Sequence, residues 1–462
     1  MDATQQPSAP EIVNGDAVLN SDEDEQTKSW DYGTLGYYDL TPPGESNSEP
    51  DASTHSTQST DTDSTTTCVD GQPEPLVAVL GVGYVGEHLT NVFSRCFNVL
   101  GYDVSTTRVA DLSKKYAENK NVRFTSKPTE IGAASHFLIS VPTLLLADKT
   151  VDTSYLRSAL TTVAEHAAPG STIVIESSVA VGMTRELLGP LAKKKGLFAG
   201  MSPERVDPGR VDPPAYAIPK VISGLDDVVP GSLAAISKLY SEAFDEVVAV
   251  SQPEVAEMTK LYENCQRMIC IAYANEMANA CIPHGIDPFE VCRAASTKPF
   301  GYMSYSPGLG VGGHCIPVNP YYLLSNSEFP LLEAASEKMY VRPAEIGRRV
   351  IDILYSKPTN GALPRVLVVG MGFKRGQSHL VNSPGLELAK SLALSEKVKV
   401  SFADPLVTQE AVSQIKRLDD SNWSVEYLEQ NFDMIVVAFK QEGLDFSVLD
   451  KLHGVQVQMW CV

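Results

Sequence analysis

The sequence lacks three features, each of which would have placed the protein in a particular class. No run of about eighteen apolar residues occurs, so a membrane-spanning helix is not expected. The N-terminus has no basic segment followed by an apolar one, so no secretory signal peptide is expected. None of the eight cysteines forms a Cys-x-x-Cys pair, which argues against zinc sites and disulfide frameworks. These absences predict a cytoplasmic protein without a metal site.

Basic residues are almost missing from the first 73 positions. Residues 1–73 contain 15 acidic residues and one basic residue, Lys28, and so carry −14 of the net charge of −20. Because this segment has too few apolar side chains to offset the entropy lost on ordering, it is predicted to be a disordered tail. Its aromatic stretch, WDYGTLGYYDLTPP at residues 30–43, is either a docking motif for an unknown partner or a tolerated apolar patch. The remaining chain carries only −6, and nothing in it predicts a nucleic-acid surface.

A dinucleotide-binding pattern begins at Leu76. The motif GVGYVG at residues 81–86 follows the apolar run LVAVL and precedes a helical stretch and a strand that leads to Asp103. Glycines in this spacing let a pyrophosphate approach the N-terminus of the helix, and the carboxylate accepts hydrogen bonds from a ribose diol. Because Asp103 would repel a 2′-phosphate, the pattern predicts NAD as the cofactor rather than NADP.

Three further strands are predicted to end in polar residues. They are FLISVPT (137–143), STIVIESS (171–178) and the start of AGMSPERVDPGR (199–210). Ligands bind at the carboxyl edge of a parallel sheet, so Glu204 and Arg205 in the last stretch are predicted to approach a ligand. The alternative is that both are solvated loop charges.

A long helix is predicted from Pro253 to Pro283, and Lys260 and Asn264 share one of its faces. A second helical stretch, Pro330 to Ser356, is expected to be interrupted at Pro343. The cysteines of the first helix are interpreted as small core residues. They are Cys265, Cys270 and Cys281.

One cysteine stands apart from the others because it lies in a glycine-rich segment. The stretch TKPFGYMSYSPGLGVGGHCIPVNPYYL (297–323) presents Cys315 directly after two glycines and a histidine. Glycines allow close approach of a ligand to the backbone, so the thiol is either a catalytic nucleophile or a bystander in a surface loop.

The alternation of strands and helices starts again near Leu363. Strands are predicted within residues 365–373, 399–405, 432–439 and 456–462, with a helix from Pro384 to Ser395. The glycine pattern breaks after Gly372, so this part is predicted to hold the nucleotide portion of a substrate rather than a second dinucleotide. The predicted fold is α/β, with two Rossmann-like, doubly wound parallel-sheet domains joined by a long-helix middle domain, behind a disordered acidic tail.

Taken in order, these motifs resemble the UDP-glucose/GDP-mannose dehydrogenase family between residues 76 and 440. The resemblance rests on GVGYVG with Asp103, VPT, ESS, SPERVDPG, KLYEN, NEMANACIPHGID, GGHCIPV and SPGLELAKSL. SPER-x-x-PG and GGHCIPV are most similar to the branch that oxidises UDP-N-acetylhexosamines. The resemblance implies a tail at 1–73, an NAD-binding domain at 74–228, a helical dimerisation domain with the cysteine loop at 229–360 and a UDP-sugar-binding domain at 361–462.

The resemblance also implies a reaction, the NAD-dependent oxidation of the C6 alcohol of a UDP-sugar to a carboxylate. Cys315 would form a thiohemiacetal and then a thioester, and Lys260 and Asn264 would stabilise the developing oxyanion. Glu204 would activate the hydrolytic water, and Ser178, where the family usually has Thr, would hold a water. The protein is expected to act as a homodimer formed through the middle domain.

Two sets of binding residues follow from the motifs and the resemblance together. The expected cofactor-binding residues are Gly81, Val82, Gly83, Tyr84, Val85, Gly86, Asp103, Arg108, Val141, Pro142, Thr143 and Ser178. The expected substrate-binding residues are Glu204, Arg205, Lys260, Asn264, Phe300, Gly301, Tyr302, Gly308, Gly312, Gly313 and Lys374.

The chain departs from the family pattern at positions that bear on activity. Asn319 stands where the family has Asp four residues after the cysteine, and it remains a catalytic candidate that cannot accept a proton. HLVNSP replaces D-x-R-x-S-P, with Val381 in the place of the Arg and His379 near the acidic position. Met339 falls where an Asn is expected. These departures support an alternative, a catalytically impaired regulator on the same fold. A scaffold that acts through the acidic tail is a further alternative.

Overall fold

The computed structural model describes residues 75–207, 209–356 and 361–461. The predictions for the acidic tail, including its aromatic stretch, lie outside these residues. Within them the chain forms a first α/β lobe, a helical middle lobe and a second α/β lobe.

The first lobe is built on a mixed sheet of eight strands in the described part of the chain. The strands of the sheet are β1 (Leu76–Leu80), β2 (Asn98–Tyr102), β3 (Val122–Thr125), β4 (His136–Ile139), β7 (Thr172–Ile175), β8 (Phe198–Met201), β9 (Lys220–Gly224) and β10 (Val247–Ala249). Between β4 and β7 the chain forms a separate small hairpin of β5 (Leu144–Leu145) and β6 (Val151–Asp152). The strand order is β10-β9-β8-β7-β4-β1-β2-β3. Central strands such as LVAVL and TIVI are apolar on both faces because helices cover both sides of the sheet.

Five helices cover this sheet among the described residues. They are α1 (Tyr84–Phe93), α2 (Thr106–Lys115), α3 (Ser154–His166), α4 (Met183–Lys195) and α5 (Ser232–Ala243). The sheet is not wholly parallel as predicted, since β8 and β9 pair antiparallel through Gly200 and Gly224. The remaining pairs in this sheet are parallel, so β1, β4, β7 and β8 end at the same edge.

The first lobe extends beyond residue 228. Helix α5 packs on β8 and β9, and β10 pairs with β9 through Val247 and Lys220. We therefore place the boundary between the first and middle lobes near residue 250 rather than at 228. The predicted boundary was early because β10 is too short to show a strand pattern.

The middle lobe is organised around two long helices that pack against each other. Its helices are α6 (Pro253–Cys281), α7 (Pro288–Ala295), α8 (Asn319–Leu324) and α9 (Pro330–Tyr355). Helix α9 runs through Pro343 without the expected interruption, because its buried face is held against α6 and α10 (Pro384–Leu394). Cys265 and Cys281 are buried as predicted, whereas Cys270 is only partly buried.

The second lobe has a parallel sheet of five strands in the ranges that the structure describes. The strands are β11 (Arg365–Val369), β12 (Lys399–Ala403), β13 (Lys416–Arg417), β14 (Met434–Val437) and β15 (Gln456–Met459), and α11 (Val425–Asn431) lies beside them. Their order is β13-β12-β11-β14-β15, which confirms the second Rossmann-like unit. No helix in the described ranges has the length and apolar composition that a membrane crossing requires.

Candidate active site

A cleft of about 470 Å³ lies where the two α/β lobes meet the middle lobe. The carboxyl ends of β1, β4, β7 and β8 form one wall, and α6 and the cysteine loop form another. Residues 373–379 of the second lobe close the third side. The predicted binding and catalytic residues that line it are Gly83, Tyr84, Val85, Asp103, Arg108, Val141, Pro142, Thr143, Ser178, Glu204, Arg205, Lys260, Asn264, Gly312, Gly313, Cys315, Asn319 and Lys374.

The glycine turn between β1 and α1 has the shape that a dinucleotide requires. Gly81 adopts a φ of +83°, which a residue with a Cβ atom rarely adopts. A Cβ atom on Gly86 would lie 1.9 Å from the Gly81 carbonyl oxygen, so α1 can approach the turn only with glycine there. Val82 is fully buried beneath the turn. The turn therefore leaves room for a pyrophosphate at the N-terminus of α1.

Asp103 is held in place beside this turn. One of its carboxylate oxygens accepts the Val82 N–H at 3.0 Å and the other accepts the Ser105 N–H at 2.9 Å. Arg108 lies across the same turn, donating to the Val82 carbonyl at 2.8 Å and to Glu87 at 2.7 Å. Asp103 and Arg108 both line the cleft, so they would meet the adenosine side of a bound dinucleotide.

The loop after β4 and the loop after β7 are joined beneath the cleft. The predicted strand 137–143 ends at Ile139, so Val141, Pro142 and Thr143 form a loop that lines the cleft. The Thr143 hydroxyl donates to the Ser178 carbonyl at 2.9 Å, which ties the two loops together. Ser178 thereby lies in the wall of the cleft.

Cys315 lines the cleft together with three polar residues of the middle lobe, Lys260, Asn264 and Asn319. The Cys315 carbonyl accepts the Asn319 N–H at 2.9 Å, which starts α8 four residues after the thiol. The Asn264 side-chain amide donates to the Asn319 side-chain oxygen, and Lys260 lies one turn earlier on the same face of α6. Lys260 and Asn264 are 8% and 6% exposed, so their polar ends meet the cleft and not the outer surface.

Glu204 is bound from two sides by donors. Its Oε1 accepts the N–H groups of Arg205 and Val206 at 2.6 and 3.0 Å, and its Oε2 accepts Lys220 Nζ at 3.0 Å. Burial favours the neutral acid, but Lys220 and the Arg205 N–H outweigh burial and lower the pKa of Glu204. The residue is therefore an ionised carboxylate at neutral pH.

Lys220 also contacts a second buried carboxylate, that of Glu176, at 2.7 Å. Burial raises the pKa of Glu176 to about 7, against the opposing effect of Lys220. The Tyr240 hydroxyl donates to the other oxygen of Glu176. Although burial opposes the charged ammonium, the two carboxylates hold the pKa of Lys220 above its ordinary value.

Two cations expected to bind substrate are already paired with carboxylates. Arg205 donates to Glu263 at 2.6 Å and to the Pro219 carbonyl at 2.8 Å. Lys374, from the second lobe, lies 3.3 Å from the carboxylate of Asp207 in the first lobe. The Asp207–Lys374 pair therefore bridges the two lobes across the mouth of the cleft.

The first part of the cysteine loop is not brought into the cleft. Phe300 is 71% exposed, and neither it nor Gly301 and Tyr302 lines the cleft. Gly308 is held elsewhere, since its N–H donates to Asn275 at 2.8 Å and its carbonyl accepts Arg342 Nε at 2.9 Å. Within one chain these four expected substrate-binding residues do not reach the site, because the loop enters the cleft only from Gly310 onward.

Several residues in or beneath the cleft were not among the predicted site residues. They include Glu176, Lys220 and Tyr240, although Glu176 lies in the ESS motif. Arg267 lines the cleft three residues after Asn264 on α6, and a helical repeat from Lys260 would have found it. His314 and His379 also line the cleft. Burial, together with the charge of His379, lowers the pKa of His314 to about 4.

The fold, the glycine turn and Asp103 together define an NAD-dependent dehydrogenase. Family models agree with this class. Residues 76–244 match the NAD binding domain of the UDP-glucose/GDP-mannose dehydrogenase family, and residues 254–338 match its central domain. The chain belongs to the UDP-glucose/GDP-mannose dehydrogenase family.

Characterised relatives cover most of the chain. It is 30% identical, over an alignment of 406 residues, to a UDP-N-acetyl-D-glucosamine 6-dehydrogenase of Salmonella typhi. The alignment covers 81% of this chain and 92% of the relative. It is also 30% identical, over an alignment of 389 residues, to a UDP-N-acetyl-D-mannosamine dehydrogenase of Pyrococcus horikoshii. That alignment covers 78% of this chain and 88% of the relative. A solved structure of a UDP-D-ManNAc dehydrogenase from Pyrococcus horikoshii has a TM-score of 0.71 and 26% identity, over 83% of this chain and 99% of that one.

Proposed function

We propose that the protein oxidises the C6 alcohol of a UDP-sugar, specifically a UDP-N-acetylhexosamine, to a carboxylate. One observation carries this proposal: Cys315, Lys260 and Asn264 line the same cleft as the glycine turn that begins α1. A nucleophilic thiol and hydrogen-bond donors beside a dinucleotide site suit the oxidation of an aldehyde held covalently. The relatives named above act on UDP-N-acetylhexosamines, which supports the substrate class.

The residues around the glycine turn fit NAD. The turn accommodates a pyrophosphate, Asp103 presents a carboxylate to a ribose, and residues 141–143 line the path toward Cys315. When bound, NAD supplies hydride acceptance, and two molecules of it are needed for a four-electron oxidation. Asp103 disfavours a 2′-phosphate, so NAD is preferred over NADP.

The protein's own residues perform the covalent steps. The Cys315 thiolate forms a C–S bond to the aldehyde carbon, and Lys260 and Asn264 donate hydrogen bonds to the oxygen that becomes negative. At the thioester stage a water adds to the carbonyl carbon while Glu204 accepts its proton. The C–S bond then breaks, and Cys315 is released as thiolate with the product as a carboxylic acid.

Cations along the cleft would hold the diphosphate of the substrate. Arg205, Arg267 and Lys374 line it. Because Arg205 and Lys374 are paired with Glu263 and Asp207, a diphosphate would share or replace these carboxylates. Charge-assisted hydrogen bonds to phosphate are worth about 1.5–3 kcal/mol each, so the exchange is favourable once the substrate is seated.

A catalytically impaired protein on the same fold is the second candidate. Asn319 cannot accept a proton, and Val381 has no side-chain donor for a diphosphate. The Val381 backbone nevertheless supports the site, because its carbonyl accepts the Gly313 N–H at 2.9 Å. The two candidates differ in whether the covalent intermediate is hydrolysed.

The test is NADH formation by the purified full chain with NAD and four UDP-sugars. These are UDP-glucose and the UDP derivatives of N-acetylglucosamine, N-acetylmannosamine and N-acetylgalactosamine. Two NADH per sugar on an N-acetylhexosamine supports the proposal, and about one per active site followed by a halt supports the impaired protein. Cys315→Ala should abolish the second NADH, whereas Cys96→Ala, an exposed cysteine elsewhere, should not. Binding of NAD without any NADH would refute the activity.

We further propose a homodimer formed through the middle lobe. Helix α6 exposes Tyr262, Tyr273 and Met277, which are 72%, 61% and 44% exposed, and the adjoining segment exposes Ile282. Tyr273→Glu should convert a dimer to a monomer in light scattering, whereas Tyr155→Glu on α3 should not.

The expected location is the cytoplasm. Any partner of the acidic tail should be lost on deletion of residues 1–73, while NADH formation persists.

A further inference from the structure

Beneath the cleft lies a group of three charged side chains, and two of them, Lys220 and Glu176, are used directly in no step of the proposed reaction. Lys220, at the start of β9, places its ammonium between Glu176, at the end of β7, and Glu204, beyond β8. The distances are 2.7 Å to Glu176 Oε2 and 3.0 Å to Glu204 Oε2. The side chains of Lys220 and Glu176 are 2% and 0% exposed, whereas that of Glu204 is 11% exposed and lines the cleft.

The surroundings of Lys220 are otherwise apolar or neutral. The Tyr240 hydroxyl, on α5, caps the far oxygen of Glu176, and the Phe244 ring centroid lies 5.5 Å from Lys220 Nζ. The ion pairs of Lys220 within the described residues are those with Glu176 and Glu204. On the cleft side, the charge of Lys260 reaches Glu204, and on α1 the titratable side chains of His88 and Tyr84 also interact electrostatically with Glu204.

We propose that Lys220 is a positioning residue for Glu204, keeping this carboxylate ionised and aimed at the hydrolytic water, with Glu176 as the buried anchor of Lys220. The proposal rests on the proposed function for its chemistry. The C–O bond to water forms and the C–S bond to Cys315 breaks in this step, while the water proton passes to Glu204. Lys220 does not touch substrate in this scheme.

Lys220, Glu176 and Glu204 form a triad whose two carboxylates are held differently, and this argues for a positioning role over simple packing. Burying an ammonium is costly, and one carboxylate partner would already neutralise it. Glu176 accepts from the Lys220 ammonium and is itself held by the Tyr240 hydroxyl, so Lys220 has an anchor other than Glu204. Glu204 Oε1 is fixed by two backbone N–H groups. The carboxylate therefore has a single orientation, with one lone pair left on Oε2, and Glu204 lines the cleft.

Removal of the ammonium should move the pH dependence of hydrolysis. An opposite charge within about 4–6 Å lowers the pKa of a carboxyl group by roughly 1–3 units. In Lys220→Met, the acidic limb of the pH–rate profile for thioester hydrolysis should therefore move to higher pH by roughly 1–3 units. Lys220→Arg should restore a limb near that of the native protein. The rate is that of hydrolysis of the Cys315 thioester, measured by quenching and mass spectrometry across pH. Lys193→Met, which removes an exposed ammonium from α4, should leave the limb unmoved.

A double variant keeps the test valid if Lys220→Met does not fold. Lys220→Met with Glu176→Gln removes the ammonium together with the carboxyl group of its buried partner, so neither variant side chain leaves the other as an unpaired buried charge. It should still show the upward shift, because Glu204 has lost its cation. A loss of rate that is equal at every pH, with the limb unmoved in both variants, would overturn the proposal and leave Lys220 a packing residue.

A second readout does not depend on activity. In protein labelled with carbon-13 at the glutamate carboxyl carbon, the Glu204 signal is identified by its disappearance in Glu204→Gln. Its titration should move to higher pH in Lys220→Met and not in Lys193→Met. If the native protein forms no NADH with any UDP-sugar, the proposed function fails, yet this titration still decides whether Lys220 controls the ionisation of Glu204. An unmoved Glu204 titration would overturn the proposal.

Discussion

Replacement of Asn319 by Asp tests which step limits the reaction. Asn319 is 2% exposed, begins α8 and accepts a hydrogen bond from the Asn264 amide. In Asn319→Asp one carboxylate oxygen keeps that bond, and the other gains a lone pair that can accept a proton. General base catalysis contributes about 10²–10⁴-fold, so steady-state turnover should rise by at least about tenfold if hydrolysis limits the native protein.

The new charge has an available counter-ion in this site. A buried carboxylate alone would be driven toward its neutral form. Lys260 lies one helical turn from Asn264 on α6 and lines the same cleft as Asn319. A nearby ammonium lowers the pKa of a carboxyl group, which opposes the effect of burial on the new carboxylate.

The assay is stopped-flow formation of NADH with saturating NAD and UDP-sugar. The native protein should show a burst followed by a slow phase, and Asn319→Asp should accelerate the slow phase while leaving the burst amplitude unchanged. Asn326→Asp adds the same charge at an exposed position two residues beyond α8 and should change neither phase. An unchanged slow phase in a folded Asn319→Asp protein that binds NAD normally would refute the reasoning.

Three further outcomes follow from the charges around the cleft. Asp207→Asn removes the carboxylate that competes with the diphosphate for Lys374. Because a partly exposed pair is worth about 0.2–1 kcal/mol, KM for the UDP-sugar should fall by up to about fivefold, and an unchanged or higher KM would contradict this. Asp103→Asn removes the charge facing a 2′-phosphate, so the ratio of kcat/KM for NADP to that for NAD should rise about tenfold, equivalent to about 1.4 kcal/mol. For Glu176→Gln, the melting temperature relative to that of the native protein should rise as pH increases from 4.5 to about 7. The reason is that over this range Glu176 is ionised in the unfolded chain and not in the folded protein. A difference in melting temperature that stays constant with pH would contradict this.

The parts of the fold that follow from local pattern were predictable. LVAVL, GVGYVG and the helix after them specify β1, the turn and α1, because each depends on residues within a few positions of one another. Strand β10 has three residues and two of them are exposed, so no apolar pattern marks it. Its place at the edge of the first sheet depends on pairing with β9, which no neighbouring residue encodes.

Within the site, motif residues were predictable and their supports were not. Cys315, Lys260 and Glu204 each stand in a recognisable segment. Lys220 is 44 positions from Glu176 and 16 from Glu204, and only the adjacency of β7, β8 and β9 brings the three together. A lysine that begins a strand would ordinarily be interpreted as a solvent-facing residue.

The second lobe explains why its glycine pattern is broken. Gly370 has a φ of +90°, and a Cβ atom on Gly385 would lie 2.1 Å from the Gly370 carbonyl oxygen, which repeats the geometry of the first turn. The two glycines are fifteen residues apart here, against five in the first lobe.

The additional residues form the segment that contributes Phe373, Lys374, Gln377 and His379 to the cleft. Asp404 corresponds to Asp103, and both carboxylates accept backbone N–H groups, but Asp404 is fully buried and also accepts the Gln441 side-chain amide. Because its own insertion occupies the turn, we expect that the second lobe does not bind a dinucleotide as the first does. It instead contributes a wall and a cation to the first lobe's cleft, which suits a substrate that meets the cofactor there.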